Sequence, residues 1–134
     1  MARTVLIDSG PIVAILRSRD QHHSWARAHF ESATKPFSTC EAVISESHFL
    51  LEAIPGGTEA LYALLQRGVI QVSFTLTSQL AETVRRIRRY RSLADACLVR
   101  MTELDEAAIV FTTDSDFKIY RRNGRQVIPL IIPP

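Results

Sequence analysis

The stretch LADACLVRMTELDEAAIVFTTDSDF, Leu93 to Phe117, constrains this chain most. It opens as a helix that carries an acid, Asp95, near its first turn. It closes in a short apolar run, Ala107 to Phe111, that meets two more acids, Asp114 and Asp116. A helix returns the chain by about 1.5 Å per residue. The following strand then lies back beside it, as in a βαβ crossover. The acid at the helix start and the acids just past the strand end are thereby brought to the same edge of a sheet.

The rest of the chain alternates in the same way. Thr4 to Ile7 reads as a buried strand, stopped by Asp8-Ser9-Gly10-Pro11. Pro11 suits the first position of a short helix through Leu16. Asp8 then stands at the carboxyl end of the first strand, the edge where open α/β sheets bind ligands; taken alone, capping of the following helix by Asp8 or Ser9 accounts for it slightly better. His22 to Ala33 is expected to be helical, with Trp25, Ala26, His29 and Phe30 on one face, and Pro36 to Cys40 a short strand. Glu41 to Ile54 is a helix ended by Pro55-Gly56-Gly57, with Val43, Ser47, Leu50, Leu51 and Ile54 as its apolar stripe. Glu46 borders that stripe. A carboxylate turned toward a core is costly unless paired or metal-bound, although a tilted glutamate reaching water explains the position as well.

Thr58 to Gln66 reads as a helix capped by Thr58 and stopped by Gly68, and Val69 to Phe74 as a strand. Thr77 to Arg91 is expected to be one helix with Leu80, Val84 and Ile87 inward. Arg85, Arg86, Arg88, Arg89 and Arg91 crowd the rest of it. Such a run is either a solvated face or a phosphate-backbone footprint. Ser92 and Asp95 have the spacing of a helix cap. Ala107 to Thr112 is a strand, Asn123-Gly124 a turn, and Val127 to Ile132 a closing strand. Strands alternating with helices predict one α/β domain over residues 1–134, with a mainly parallel central sheet of about five strands flanked by helices.

Composition removes several classes. With 134 residues, 46% hydrophobic and 22% charged, the chain can bury a core as a globular domain. No apolar run approaches the ~20 residues that span a bilayer, and the N-terminal apolar run is too short for a signal peptide. A cytoplasmic location is expected. Cys40 and Cys97 fit neither a metal motif nor a disulfide framework and read as small buried hydrophobes. His22, His23 and His29 lack acids or cysteines at matching spacing and read as surface and edge residues.

Asp8, Glu46, Asp95, Asp114 and Asp116 each have an ordinary explanation singly. Together they converge on one sheet edge. Two carboxylates ~4 Å apart repel by roughly 4 kcal/mol at an effective dielectric near 20, so four or five require a cation. Oxygen ligands without paired histidine or cysteine select Mg²⁺ or Mn²⁺. A hydrated Mg²⁺ held by carboxylates suits hydrolysis of a phosphodiester, and no serine, histidine or cysteine has the partners of a protein nucleophile.

These residues resemble those of the PIN-domain family, in particular its VapC-type toxin ribonucleases. The matching segments are VLIDSGPIVAIL with Asp8, VISESHFLLE with Glu46, SLADACLVRM with Asp95, and VFTTDSDF with Asp114 and Asp116. The resemblance implies a Mg²⁺- or Mn²⁺-dependent endoribonuclease, cytoplasmic, usually homodimeric, and inhibited by a small cognate antitoxin protein. It implies Asp8, Glu46 and Asp95 as core metal ligands, Asp114 as the fourth acid, and Asp116 as support for a second metal or its waters. Ser9, Thr112 and Thr113 fall where a hydroxyl near the metal is usual. Arg85, Arg86, Arg88 and Arg89, with Ser9 and Thr113, are the expected RNA contacts. Ser115 departs from the basic or amide residue of many relatives. Two other readings compete: a receiver-like phosphoacceptor, for which Lys118 is the one nearby lysine, and a non-catalytic PIN scaffold that binds RNA or a partner protein.

Overall fold

In the computed structural model, which describes residues 3–134, apolar and β-branched residues set the central strands. β1 (Thr4–Ile7) and β4 (Ala108–Phe111) lie side by side and parallel, with Ile7 opposite Phe111. β2 (Phe37–Thr39) flanks β1, β3 (Ile70–Val72) flanks β2, and β7 (Leu130–Ile131) flanks β4. The result is a five-stranded sheet in the order β3-β2-β1-β4-β7, with every pairing parallel. Such a sheet must be covered on both faces, which is why β1 and β4 are almost continuously apolar.

The covering helices are α1 (Ser9–Leu16), α2 (His23–Ser32), α3 (Glu41–Leu51), α4 (Gly57–Gln66), α5 (Leu80–Arg85) and α6 (Leu93–Leu104). Phe111 is fully buried and meets Trp25 edge-on at 5.5 Å between ring centroids and Phe37 at 6.0 Å; Phe30 packs on Phe37. Burying one such ring contributes about 2–3 kcal/mol. Among the described residues no helix is long and apolar enough to cross a membrane. Gly68, at φ +73°, ends α4 in the left-handed conformation that favours glycine.

Several elements depart from expectation. The helix expected over Thr77–Arg91 is broken into a 3-10 turn (Thr77–Gln79), the short α5, and a second 3-10 turn (Ile87–Arg89). Arginines at i, i+3 and i+4 repel one another along a single helix, and Arg86 turns inward to reach Glu103. Leu80 and Val84 are consequently about half exposed, and Thr83 takes the buried position. Leu50 is likewise half exposed while Ile44 is buried in its stead, and α3 stops at Leu51. Thr58 lies inside the first turn of α4; the cap is Gly56, with no side-chain bond. The closing strand is split. β6 (Gln126–Val127) pairs with β5 (Arg121–Arg122) in an antiparallel hairpin through Asn123-Gly124, both at positive φ, and only Leu130–Ile131 joins the main sheet. Pro129, which has no N–H to donate, lies between the two pieces.

Glu103 in α6 ties these outer segments to the core. Its carboxylate, 10% exposed, pairs with Arg86 at 3.5 Å and Arg100 at 3.2 Å, and accepts from the Asn123 N–H at 2.6 Å. Glu103→Ala should therefore destabilise the fold by about 2 kcal/mol, because two partly buried guanidinium groups lose their partner. Urea unfolding checks this. Glu103→Gln should cost less, since its amide oxygen still accepts from Asn123.

Candidate active site

β2 and β3 extend the sheet beyond β1, and β7 extends it beyond β4. The carboxyl ends of β1 and β4 therefore open the crevice at which the winding reverses, where α/β sheets bind ligands. Both strands run into polar residues there. Asp8, immediately after β1, caps α1 by accepting from the Ser9 N–H at 2.8 Å. Its other carboxylate oxygen accepts from the Thr112 hydroxyl, immediately after β4, at 2.7 Å. Both side chains are buried. Thr112 in turn accepts from the Asp114 N–H at 3.0 Å, and Asp114 caps the 3-10 turn Ser115–Lys118 by accepting from the Asp116 N–H. Capping thus explains part of what Asp8 and Asp114 do, and it holds both carboxylates at the carboxyl ends of β1 and β4.

Two helices add the other acids. Glu46 lies mid-way along α3, on an exposed turn, and accepts a short hydrogen bond from the Ser9 hydroxyl. Asp95 sits in the first turn of α6, whose cap Ser92 accepts from the Asp95 N–H at 3.1 Å. The Asp95 side chain is buried and accepts from the Tyr120 hydroxyl at 2.8 Å.

The four carboxylates act on one another. Burial, and then the charges of Asp95 and Glu46, push the Asp8 carboxyl up to about 6 against the hydrogen bonds from Thr112 and Ser9. Burial raises Asp95 as well, with the charges of Asp114 and Glu46 adding to it. As they stand, no three acid, histidine or cysteine side chains among the described residues are drawn together closely enough to hold a metal ion. Each of the four carboxylates is engaged by a neighbouring donor. The donor set of carboxylates and hydroxyls nevertheless suits a hard, oxygen-seeking cation.

The remaining expected residues are more dispersed. Asp116 faces outward to Arg91, whose guanidinium lies 3.1 Å from it. Thr113 packs against Gly10, where a Cβ would collide with its side chain. Arg85 pairs with Glu82 across one helical turn, and Arg86 with Glu103. Arg88 and Arg89 are exposed in the second 3-10 turn. Three of the four histidines lie elsewhere: His22 and His29 pack against Trp25, and His23 contacts the Ala14 carbonyl oxygen, while His48 of α3 turns to Tyr62 and Glu52. Cys40 and Cys97 are buried side by side. Tyr120 is the residue that sequence reasoning missed. No periodicity marks a lone tyrosine as the hydrogen-bond donor of an acid 25 residues away.

Residues 5–123 match the family model of the PIN domain. The chain belongs to the PIN domain family. Its fold is similar to that of VapC20 from Mycobacterium tuberculosis, described as a sarcin-ricin loop cleaving toxin, with a TM-score of 0.77 and 18% sequence identity over 94% of this chain and 100% of that one. No curated protein matches this PIN domain by sequence.

The buried acids give a pH signature. The Asp8 carboxyl of the folded protein titrates near 6, against 3.8 for an ordinary aspartate. The unfolded chain thus releases this proton first as pH rises. The contribution of neutral Asp8 to stability is complete below about pH 4 and is lost as pH climbs through about 6. In EDTA, urea unfolding should show a loss of about 2–3 kcal/mol over that window, and Asp8→Asn should flatten the slope.

Proposed function

We propose that this PIN domain is a metal-dependent endoribonuclease of the VapC toxin type. The observation that carries the reading is the burial of Asp8 beside Thr112 in the β1–β4 crevice, within electrostatic reach of Glu46 and Asp95. A carboxylate lifted first by burial and then by neighbouring acids carries a cost that a bound cation would relieve. Asp8, Glu46, Asp95 and Asp114 would hold Mg²⁺ or Mn²⁺, with Asp116 at the rim. When bound, the cation would make a coordinated water more acidic and neutralise charge on a phosphodiester oxygen.

The chain's own residues prepare for this. Thr112 fixes the orientation of Asp8, Ser9 that of Glu46, and Tyr120 that of Asp95. Thr113 lies at the mouth, against the start of α1. The RNA backbone would lie on the arginines beside the acids, of which Arg88 and Arg89 have the freer side chains. RNA as substrate agrees with the description of VapC20. We read the protein as a cytoplasmic homodimer held in check by a small antitoxin protein, and residues 1–134 as one domain. A non-catalytic scaffold would leave the energetic cost of burying Asp8 without a purpose.

The test is cleavage of a mixed cellular RNA pool by purified protein in Mg²⁺, in Mn²⁺ and in EDTA. We expect discrete fragments that require the metal. Asp8→Asn or Asp95→Asn should lower the rate by at least about 100-fold with the fold intact. Mn²⁺ should raise the melting temperature of the wild type and not of Asp95→Asn. Full activity in either variant would refute the assignment.

A further inference from the structure

A second feature stands beside the acids. A cavity of about 270 Å³ opens between the 3-10 turn Ile87–Arg89 and the β5–β6 hairpin, lined by Arg89, Tyr90, Ile119, Tyr120, Arg121 and Gly124. We propose that it is a subsite for one nucleotide of single-stranded RNA, the base resting on Ile119 and Tyr90 and a flanking phosphate on the two arginines. The inference rests on the nuclease reading and deepens it by saying where the strand goes.

Charge is the first argument. Two cationic side chains line the cavity and no acid does. Arg89 is exposed and has no acidic partner among the described residues, unlike Arg85 and Arg86. Arg121 is half buried and held in place. Its Nη1 donates to the carbonyl oxygens of Lys118 at 2.8 Å, Ile119 at 3.0 Å and Tyr120 at 3.0 Å. Its Nε and Nη2 find no acceptor among the described residues. A guanidinium fixed at one corner, with donors left over, suits a phosphate, which it can grip through two parallel hydrogen bonds.

The apolar lining is the second argument. Ile119 is 73% exposed, directly beside the edge-on pair of Tyr90 and Tyr120, whose ring centroids are 5.0 Å apart. A site for a bare anion has no use for this surface. A nucleobase does, since stacking and apolar contact supply sequence-tolerant affinity for single strands. The volume lies just under the ~300 Å³ at which pockets take whole small ligands, which fits one base and not a folded helix.

Position is the third. Tyr120 belongs to both sites: its ring lines the cavity and its hydroxyl donates to Asp95. That hydroxyl also accepts from the backbone N–H of Arg91, whose side chain reaches Asp116. One tyrosine ring therefore separates the proposed base site from the acid crevice, so a nucleotide held there is a near neighbour of the bond to be cut.

The experiment is binding of a fluorescein-labelled, unstructured single-stranded RNA to the full chain in EDTA, read by anisotropy at several salt concentrations. Arg89→Ala and Ile119→Ala alter exposed side chains and leave the core alone. Each should weaken binding about fivefold, and Arg89→Ala should also reduce the salt slope by about 1. An abasic backbone of equal length should respond to Arg89→Ala and not to Ile119→Ala. Arg27→Ala removes an exposed arginine of α2, paired with Glu31 and outside the cavity, and should change nothing. If the wild type binds and cleaves RNA while Arg89→Ala and Ile119→Ala match it in affinity and salt slope, the subsite is wrong and the nuclease stands. If the wild type neither binds nor cleaves RNA, both fail. Binding that depends on Arg89 and Ile119, without cleavage in any metal, would support the subsite and refute the nuclease.

Discussion

The hydrogen bond from Thr112 to Asp8 joins the two strands that the rest of the structure is built around. It exists because β1 and β4 are paired parallel with Ile7 opposite Phe111. Side chains alternate across a strand, so a slip of one residue would turn each apolar set to the other face. Such a slip would part Asp8 from Thr112 and disturb the packing of Phe111 against Trp25 and Phe37. Core packing and placement of the acid are thus one constraint: the apolar residues set the register, and the register sets where Asp8 lies.

Much of this was legible in the sequence because the decisive elements are local. β1, α6 and β4 are short, strongly patterned, and bounded by polar residues whose positions follow directly. Asp95 is recognisable as a first-turn acid from the spacing of Ser92, and that role places it at the helix start whatever else it does. Glu46 was half legible. Its position on the edge of the apolar stripe was right, yet its carboxylate is engaged by Ser9 rather than drawn into the core. Over Thr77 to Arg91 periodicity alone points to one helix, and the fold breaks it. Leu80, Val84 and Ile87 have helical spacing, but repulsion among the arginines and the pull of Glu103 on Arg86 outweigh a stripe worth few buried atoms. Tyr120 was out of reach for another reason. Its partner is distant in the chain, and only the folded turn after Asp116 brings the two together.

The arginines divide by the same physics. A basic run in a nearly neutral chain suggests a single footprint, but the fold assigns its members separate tasks. Arg86 is spent on Glu103 inside the structure, where burial strengthens the pair. Arg85 answers Glu82 on the surface. Arg121, from a hairpin that the sequence did not connect with the run, comes to stand beside Arg89. The positive surface near the acids is therefore assembled from two segments far apart in sequence, and counting charge along one helix both overstates and misplaces it.

The acid edge has a firm floor and an exchangeable rim. On the floor, the Asp95 carboxylate and the Tyr120 hydroxyl are both buried, and Tyr120 is wedged between Tyr90 and Phe117. Neither partner can leave without exposing an unpaired buried polar group, so their geometry is set by folding. At the rim, the Arg91 side chain is 78% exposed and meets Asp116 in water, where an ion pair contributes little. That contact is easily given up. An incoming cation or phosphate would compete for Asp116 or for Arg91 at small cost, while Asp8 and Asp95 stay where the strands and α6 put them. On the proposed nuclease reading, rigidity is greatest at the acids that would hold the cation, and the looser contact stands where the RNA backbone would arrive.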